Sequence, residues 1–280
     1  MAREISSITR VGTHEPFDLQ VARNQIAYHQ ALFKFGFNGA IANTEETIWF
    51  QGGNIPWPTT AVTVYVSSTS TADTAGGTGA QTVEVQGLDA DYKEIFGIAT
   101  TNGHNQSAVV DKTTGQAITF LRVFRAFVTL SGSNGGSVGI VYIGPNGLSG
   151  VAGVPTTVYA NLGTSNQTQI GAYTVPYNKD LYLDDINFTA AVSQANEYTI
   201  VKFNVRLFGT NTWRTNYINV LQSNQLIAKF EYPLLIPSKA DVEMRAIGSS
   251  NGAHEVGGSF QGVLIEKLPE PPSPTLNTIT

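Results

Sequence analysis

The chain holds 280 residues and 30.0 kDa, enough for one large domain or two ordinary ones with a sizeable core. Hydrophobic residues make up 41% and mean hydropathy is −0.05, yet only 13% of residues are charged, about half the usual share for a soluble domain. Thr (31), Gly (28) and Asn (20) supply the polarity instead, which favours strands and tight turns. With 16 basic against 21 acidic residues, a broadly basic nucleic-acid or anionic-membrane binder is excluded. No apolar run reaches the roughly 18 residues needed to span a bilayer, so a soluble protein is expected. The absence of cysteine removes disulfides, thiolate zinc sites and a Cys nucleophile.

The opening MAREISSITR carries mixed charge and no apolar h-region, so no secretory signal is expected. The Asn-x-Ser/Thr triplets at Asn105, Asn166 and Asn187 are then chance matches. Residues 1–43 read as an N-terminal arm. Within it Phe17, Leu19 and Val21 alternate, as do Phe33, Phe35 and Phe37, with the strand period of two, and 21–32 between them fits a short helix. The arm must bury these side chains on its own body or on a neighbouring subunit.

Residues 44–143 read as a first β-sandwich domain. TIWF, AVTVYV, QTVEVQ, YKEIFGIA, AITFLRVFRAFVTL and SVGIVYI are short, β-branched or aromatic, and bounded by turn chemistry. Residues 81–99 form a hairpin in this reading, reversed by Gly87-Leu88-Asp89-Ala90-Asp91. Glycine at every third position (Gly144, Gly147, Gly150, Gly153) imitates collagen spacing, but four triplets are too few for a triple helix, and 144–166 reads as a Gly/Pro linker. Residues 167–267 give a second set of six or seven strands, with Val201, Phe203, Val205 and Leu207 alternating against polar residues. Residues 268–280 are a Pro-rich tail. The fold class expected is all-β: two antiparallel, jelly-roll-like β-sandwiches with an arm and a tail.

Chemistry is hard to find. His14, His29, His104 and His254 have no metal-ligand spacing. Gly248-Ser249-Ser250-Asn251-Gly252 matches the serine-hydrolase elbow in letters, but it joins two strands and reads as a turn. Asp89, Asp91 and Glu94 lack the glycine and closing glutamate of a calcium loop. Asp184 and Asp185 are neighbours in a strand, so they should face opposite sides. Trp49, Trp57 and Trp213 suit a core or subunit interface better than sugar stacking. The expectation is no enzyme, no cofactor and no metal.

Three stretches carry a resemblance: 15–36 (EPFDLQVARNQIAYHQALFKFG), 44–95, and the closing IPSKADVEMRAIG with GGSFQGVLIEK, with TADTAGGTGAQTVEVQGLD the most specific element. Together they resemble virion structural proteins of tailed bacteriophages, marine and cyanobacterial ones above all, over about two thirds of the chain. The resemblance implies a non-enzymatic virion component, synthesised in the host cytoplasm and placed on the capsid surface as a decoration or cement protein, with the major capsid protein and copies of itself, a trimer favoured, as partners. No nucleic acid or membrane partner is implied. Phe17, Leu19, Val21, Phe33, Phe35, Phe37 and Trp57 are the candidate interaction residues. A head or tail appendage subunit is the alternative, and a carbohydrate-binding module using Trp57, Trp213 or neighbouring tyrosines a further one.

Overall fold

The computed structural model describes residues 15–163, 165–192, 194–249 and 254–267. Expectations for residues 1–14 and for the tail 268–280 lie outside the described residues. Strands dominate the rest, and every named pairing is antiparallel.

The chain enters through a single turn of helix, α1 (Phe17–Ala22). The helix falls at 17–22, where a strand was expected, and the strand expected at 33–37 is present but starts earlier, at His29. Pro16 sits at the N-cap with φ −56° and Asp18 lies in the first turn, both favourable to helix initiation, and Asn24 closes it at a left-handed φ of 55°. Six residues cannot hold a helix alone; burial of Val21 and a bond from Gln20 Nε2 to the Glu15 carbonyl (2.7 Å) anchor it. The strand follows as β1 (His29–Ile41), and β2 (Glu46–Thr47) comes next.

The first half contributes β3 (Val62–Thr63), β4 (Tyr65–Ser68), β5 (Ala80–Leu88), β6 (Glu94–Thr100), β7 (Ser107–Ala108), β8 (Thr119–Phe120), β9 (Arg122–Ser131), β10 (Val141–Gly144) and β11 (Ala160–Asn161). They form small sheets ordered β6-β5-β9, β11-β10-β4-β7 and β3-β8 around one core that includes Val64, Val66, Val83, Val85, Phe120, Val141 and Ile143. The hairpin read at 81–99 is present, with its turn at 89–93 instead of 87–91: β5 pairs β6 from Thr82↔Thr100 to Leu88↔Glu94, and Asp89 Oδ1 accepts from the Asp91 and Lys93 amides to shape the turn.

The second half contributes β12 (Ala172–Thr174), β13 (Lys179–Ala191), β14 (Thr199–Arg206), β15 (Trp213–Leu221), β16 (Gln225–Ile236), β17 (Asp241–Gly248) and β18 (His254–Glu266). Two sheets, β1-β18-β13-β16 and β12-β17-β14-β15, face each other across a second core that includes Leu181, Leu183, Phe188, Val201, Phe203, Met244 and Phe260.

Two segments sit differently from their reading. Residues 29–41 of the arm belong to the second half: β1 pairs β18 from His29↔Ile265 to Asn38↔Val256, in the chain's own sheet. The 144–166 segment is folded into the first half, where β11 pairs β10 (Tyr142↔Asn161) and Leu162 is buried. Gly153, at φ 73°, lies so close to the Ser68 carbonyl that a side chain has no room. Its glycines thus serve turns and close approach rather than a repeat.

The TADTAGGTG loop is organised by one carboxylate. Asp73 is fully buried; its Oδ1 accepts from the Ala80 and Val138 amides (2.8 Å each) and its Oδ2 from Gly139 N (2.9 Å) and Ser68 Oγ (2.5 Å). An Asp73→Ala substitution strands these donors and should cost about 3 kcal/mol or more, read as a lower midpoint in urea unfolding; an unchanged midpoint contradicts the assignment.

Candidate interaction surface

A connected network of charged side chains occupies the junction of the two halves. Arg122, at the start of β9, is buried and donates to the Pro58 carbonyl, to the Leu121 carbonyl (3.1 Å), to Thr174 Oγ1 (3.2 Å) and to Asp241 Oδ1 (3.4 Å). Asp241, at the start of β17, also takes Arg206 Nη2 at 2.6 Å and Nε at 3.0 Å. Planar guanidinium groups then alternate with indoles: Arg122 and Arg206 lie 5.2 and 5.3 Å from Trp57, and Arg206 and Arg245 lie 4.7 and 5.7 Å from Trp213. The two indoles are 5.3 Å apart. Arg245 continues the network to Glu243 (3.0 Å) and Glu45 (3.3 Å). Burial pushes the Glu243 carboxyl up, with Arg245 and the Thr47 hydroxyl opposing that rise. Trp57 and Arg122 come from the first half and Asp241, Arg206 and Trp213 from the second, so this ladder welds them together.

A groove of about 620 Å³ runs beside it, between the free edge of β1 and the free edge of β6. Consecutive residues of each strand line it, 30–35 from β1 and 94–96 from β6, so it follows strand edges rather than one face. Phe124 and Tyr173, 4.7 Å apart, lie among its inner residues. Lys179 connects the two walls, donating to Gln30 Oε1 at 2.8 Å and pairing with Glu94. Lys34 donates to the Phe124 carbonyl (2.8 Å), and Arg125 lies nearby over Phe127 (4.9 Å). No carboxylate pairs with Lys34 or Arg125 among the described residues, and burial followed by repulsion from Arg125 brings the Lys34 amine down to about 7.

The candidate residues fall into separate places. Phe33 is 61% exposed at the groove, stacked 6.1 Å from the half-buried Phe35. Phe37 is half-buried further along β1. Phe17 and Leu19 lie exposed on α1, whereas Val21 is buried and Trp57 is held in the arginine ladder. Asp184 and Asp185 do not face opposite sides: a register shift between Leu183 and Asp185 moves the buried set from Leu181 and Leu183 to Ile186 and Phe188, leaving both carboxylates outside the core. Gly248 ends β17; the serine-elbow letters at 250–252 lie outside the described residues. Among the described residues no helix is long and apolar enough to cross a membrane, and no group of His, Asp and Glu side chains is arranged to hold a metal ion.

A second surface was not anticipated from the sequence. The edge strands β15 and β16 follow one another in the chain, one in each sheet, and expose Ile218, Val220, Ile227, Tyr232 and Leu235. On β16 the partners of β13 jump from Leu234 to Lys229, so residues 230–233 form a bulge. Phe230 packs against the core while Glu231, Tyr232 (81% exposed) and Pro233 stand clear.

No family model matches the sequence, and no curated protein matches it. Structures of infectious bursal disease virus align with it: the Gx strain at 9% identity over 90% of this chain and 78% of that chain, TM-score 0.24, and the VP2 subviral particle at 9% identity over 90% and 77%, TM-score 0.21. At that level of agreement neither superposition assigns a function or a site residue.

Two outcomes test this geometry. Arg122→Met should destabilise by about 3–5 kcal/mol, because it leaves Asp241 short of a buried partner, and adding Asp241→Leu should cost less than the two single effects summed; strict additivity in denaturant titrations contradicts the pairing. The Lys34 amine has an ordinary value of 10.5 in the unfolded chain and about 7 in the folded one, so between these values the unfolded chain binds more protons. Its contribution to stability therefore rises with pH from about 7 towards 10.5. Lys34→Met should flatten that rise in chemical unfolding measured across the window; an identical pH profile would show that Lys34 is solvated.

Proposed function

We propose that the chain is a non-enzymatic structural subunit of a virion, a decoration or cement protein on the outside of a bacteriophage head, working as a homo-oligomer bound to the major capsid protein. The observation that carries this reading is the pair of edge strands β15 and β16 with their row of exposed apolar side chains. A long, uncovered sheet edge is an aggregation hazard in a free monomer and an asset in a subunit that other chains cover. The sequence resemblance over 15–36, 44–95 and the closing strands supports the virion assignment. Low charge supports it too: a surface with few ions to desolvate packs closely against copies and against a shell at little electrostatic cost. Many copies then give avidity from modest single contacts.

The glycan reading gains no support from its tryptophans, because Trp57 and Trp213 pack against Arg122, Arg206 and Arg245 and against each other. The useful experiment is gold labelling of the tagged full-length chain in purified particles. Label spread over the head is expected. Label at one vertex would replace the cement reading with an appendage subunit, and particles without label overturn the virion reading altogether.

A further inference from the structure

The groove beside β1 and the bulge on β16 are complementary in polarity and charge. The groove has aromatic walls, Phe33 and Phe96 both exposed, and two cations, Lys34 and Arg125, that no carboxylate of the described chain pairs with. Its one acid, Glu94, is taken by Lys179. The bulge is the converse. It projects an aromatic side chain, Tyr232, next to an exposed acid, Glu231, for which no ion-pair partner exists among the described residues, and Pro233 beside them offers no amide to a neighbouring strand.

β1 and β16 are the opposite edges of one four-stranded sheet. A chain therefore carries the plug on one side and the socket on the other. Regular edge-to-edge pairing of two β16 strands is hindered by the bulge and by Pro233, both of which break a ladder. A side-chain plug needs no ladder.

We propose that the Glu231–Tyr232–Pro233 bulge of one copy seats in the β1/β6 groove of the next, with Glu231 against Arg125 and Lys34 and Tyr232 against Phe33 and Phe96. The contact is heterologous, using a different surface on each partner, so it builds a closed ring if the rotation between copies closes. Arrival of the carboxylate also favours the charged form of Lys34, whose amine stands at about 7 in the free chain among Arg125 on β9, Glu94 on β6, Lys179 on β13 and Tyr173 on β12. This deepens the structural-subunit reading and rests on it for the supply of many copies. Its test uses purified chain alone, so its failure leaves the particle-labelling result untouched.

Light scattering coupled to size exclusion reads the test. The wild-type chain should run as a closed oligomer. Arg125 and Glu231 are both exposed, so Glu231→Arg and Arg125→Glu should keep the circular dichroism spectrum and thermal midpoint of the wild type while weakening association by at least about tenfold. The double variant Glu231→Arg/Arg125→Glu should restore the oligomer, which a merely structural role for either residue would not do. The absence of cysteine allows a second readout: mixed Phe33→Cys and Tyr232→Cys chains should form an intermolecular disulfide with one another. A monomeric wild type, single variants that still assemble, or a Tyr232→Cys chain that crosslinks to itself as readily as to Phe33→Cys each overturns the proposal.

Discussion

Asp241 sits buried between two sandwiches and draws Arg122 from one and Arg206 from the other. Two cations on one carboxylate, in a place that water does not reach, strengthen every interaction in the cluster and make any broken one costly. Trp57 and Trp213 add surfaces that accept guanidinium planes without themselves being charged, so the arginines stay packed as well as paired. Leu88 and Phe124 of the first half are buried in the second core and Ala172 of β12 in the first, and the polar ladder, with the Lys34 bond to the Phe124 carbonyl beside it, adds to these apolar contacts in holding the halves together. The groove depends on that relation, because one wall, β1, belongs to the second half's sheet and the other, β6, to the first half's.

The distribution of charge follows from the same economy. The chain has few ions, and some of the described ones do internal work: Asp73 organises a loop and Asp241 and Glu243 the junction, while the half-buried Lys179 holds the exposed Glu94 at one end of the groove. The surface carries Thr, Asn and exposed apolar edges among its sparse charges. Such a surface is poorly suited to a crowded solution of monomers and well suited to close contact with other chains.

How legible this was in the sequence varies by element. Alternation identified 81–99 and 201–207 as strands because each has one buried face and so a period of two, and it also found the strand at 33–37, although the buried side there is that of Gly36 and Asn38 and not that of the phenylalanines. Alternation misled at 17–21, where Phe17, Leu19 and Val21 lie on a helix: only Val21 turns inward, and Pro16 and Asp18 outweigh the pattern. It misled again at Asp184 and Asp185, since a bulge resets the phase and leaves no mark in the letters. The 144–166 stretch read as a linker because its burial comes from turns docked on β4, with no periodicity at all. Of the functional candidates, the Phe33 and Phe35 pair was visible from its spacing. Their companions were not, because Arg125 and Phe96 come from a different sheet, and the Arg122–Asp241 pair spans 119 positions of sequence. The β15 and β16 edge was hidden for another reason: pattern separates buried from exposed faces, and cannot tell an edge strand from a central one.

The central claim is that two hydrophobic cores behave as one body because a buried ionic ladder, together with the apolar side chains of Leu88, Phe124 and Ala172, joins them. Scanning calorimetry of the full chain tests it most directly. One transition, with calorimetric and van't Hoff enthalpies in agreement, is the predicted result. Two resolved transitions, one for each core, would show that the junction is a contact between independent domains and would contradict the account.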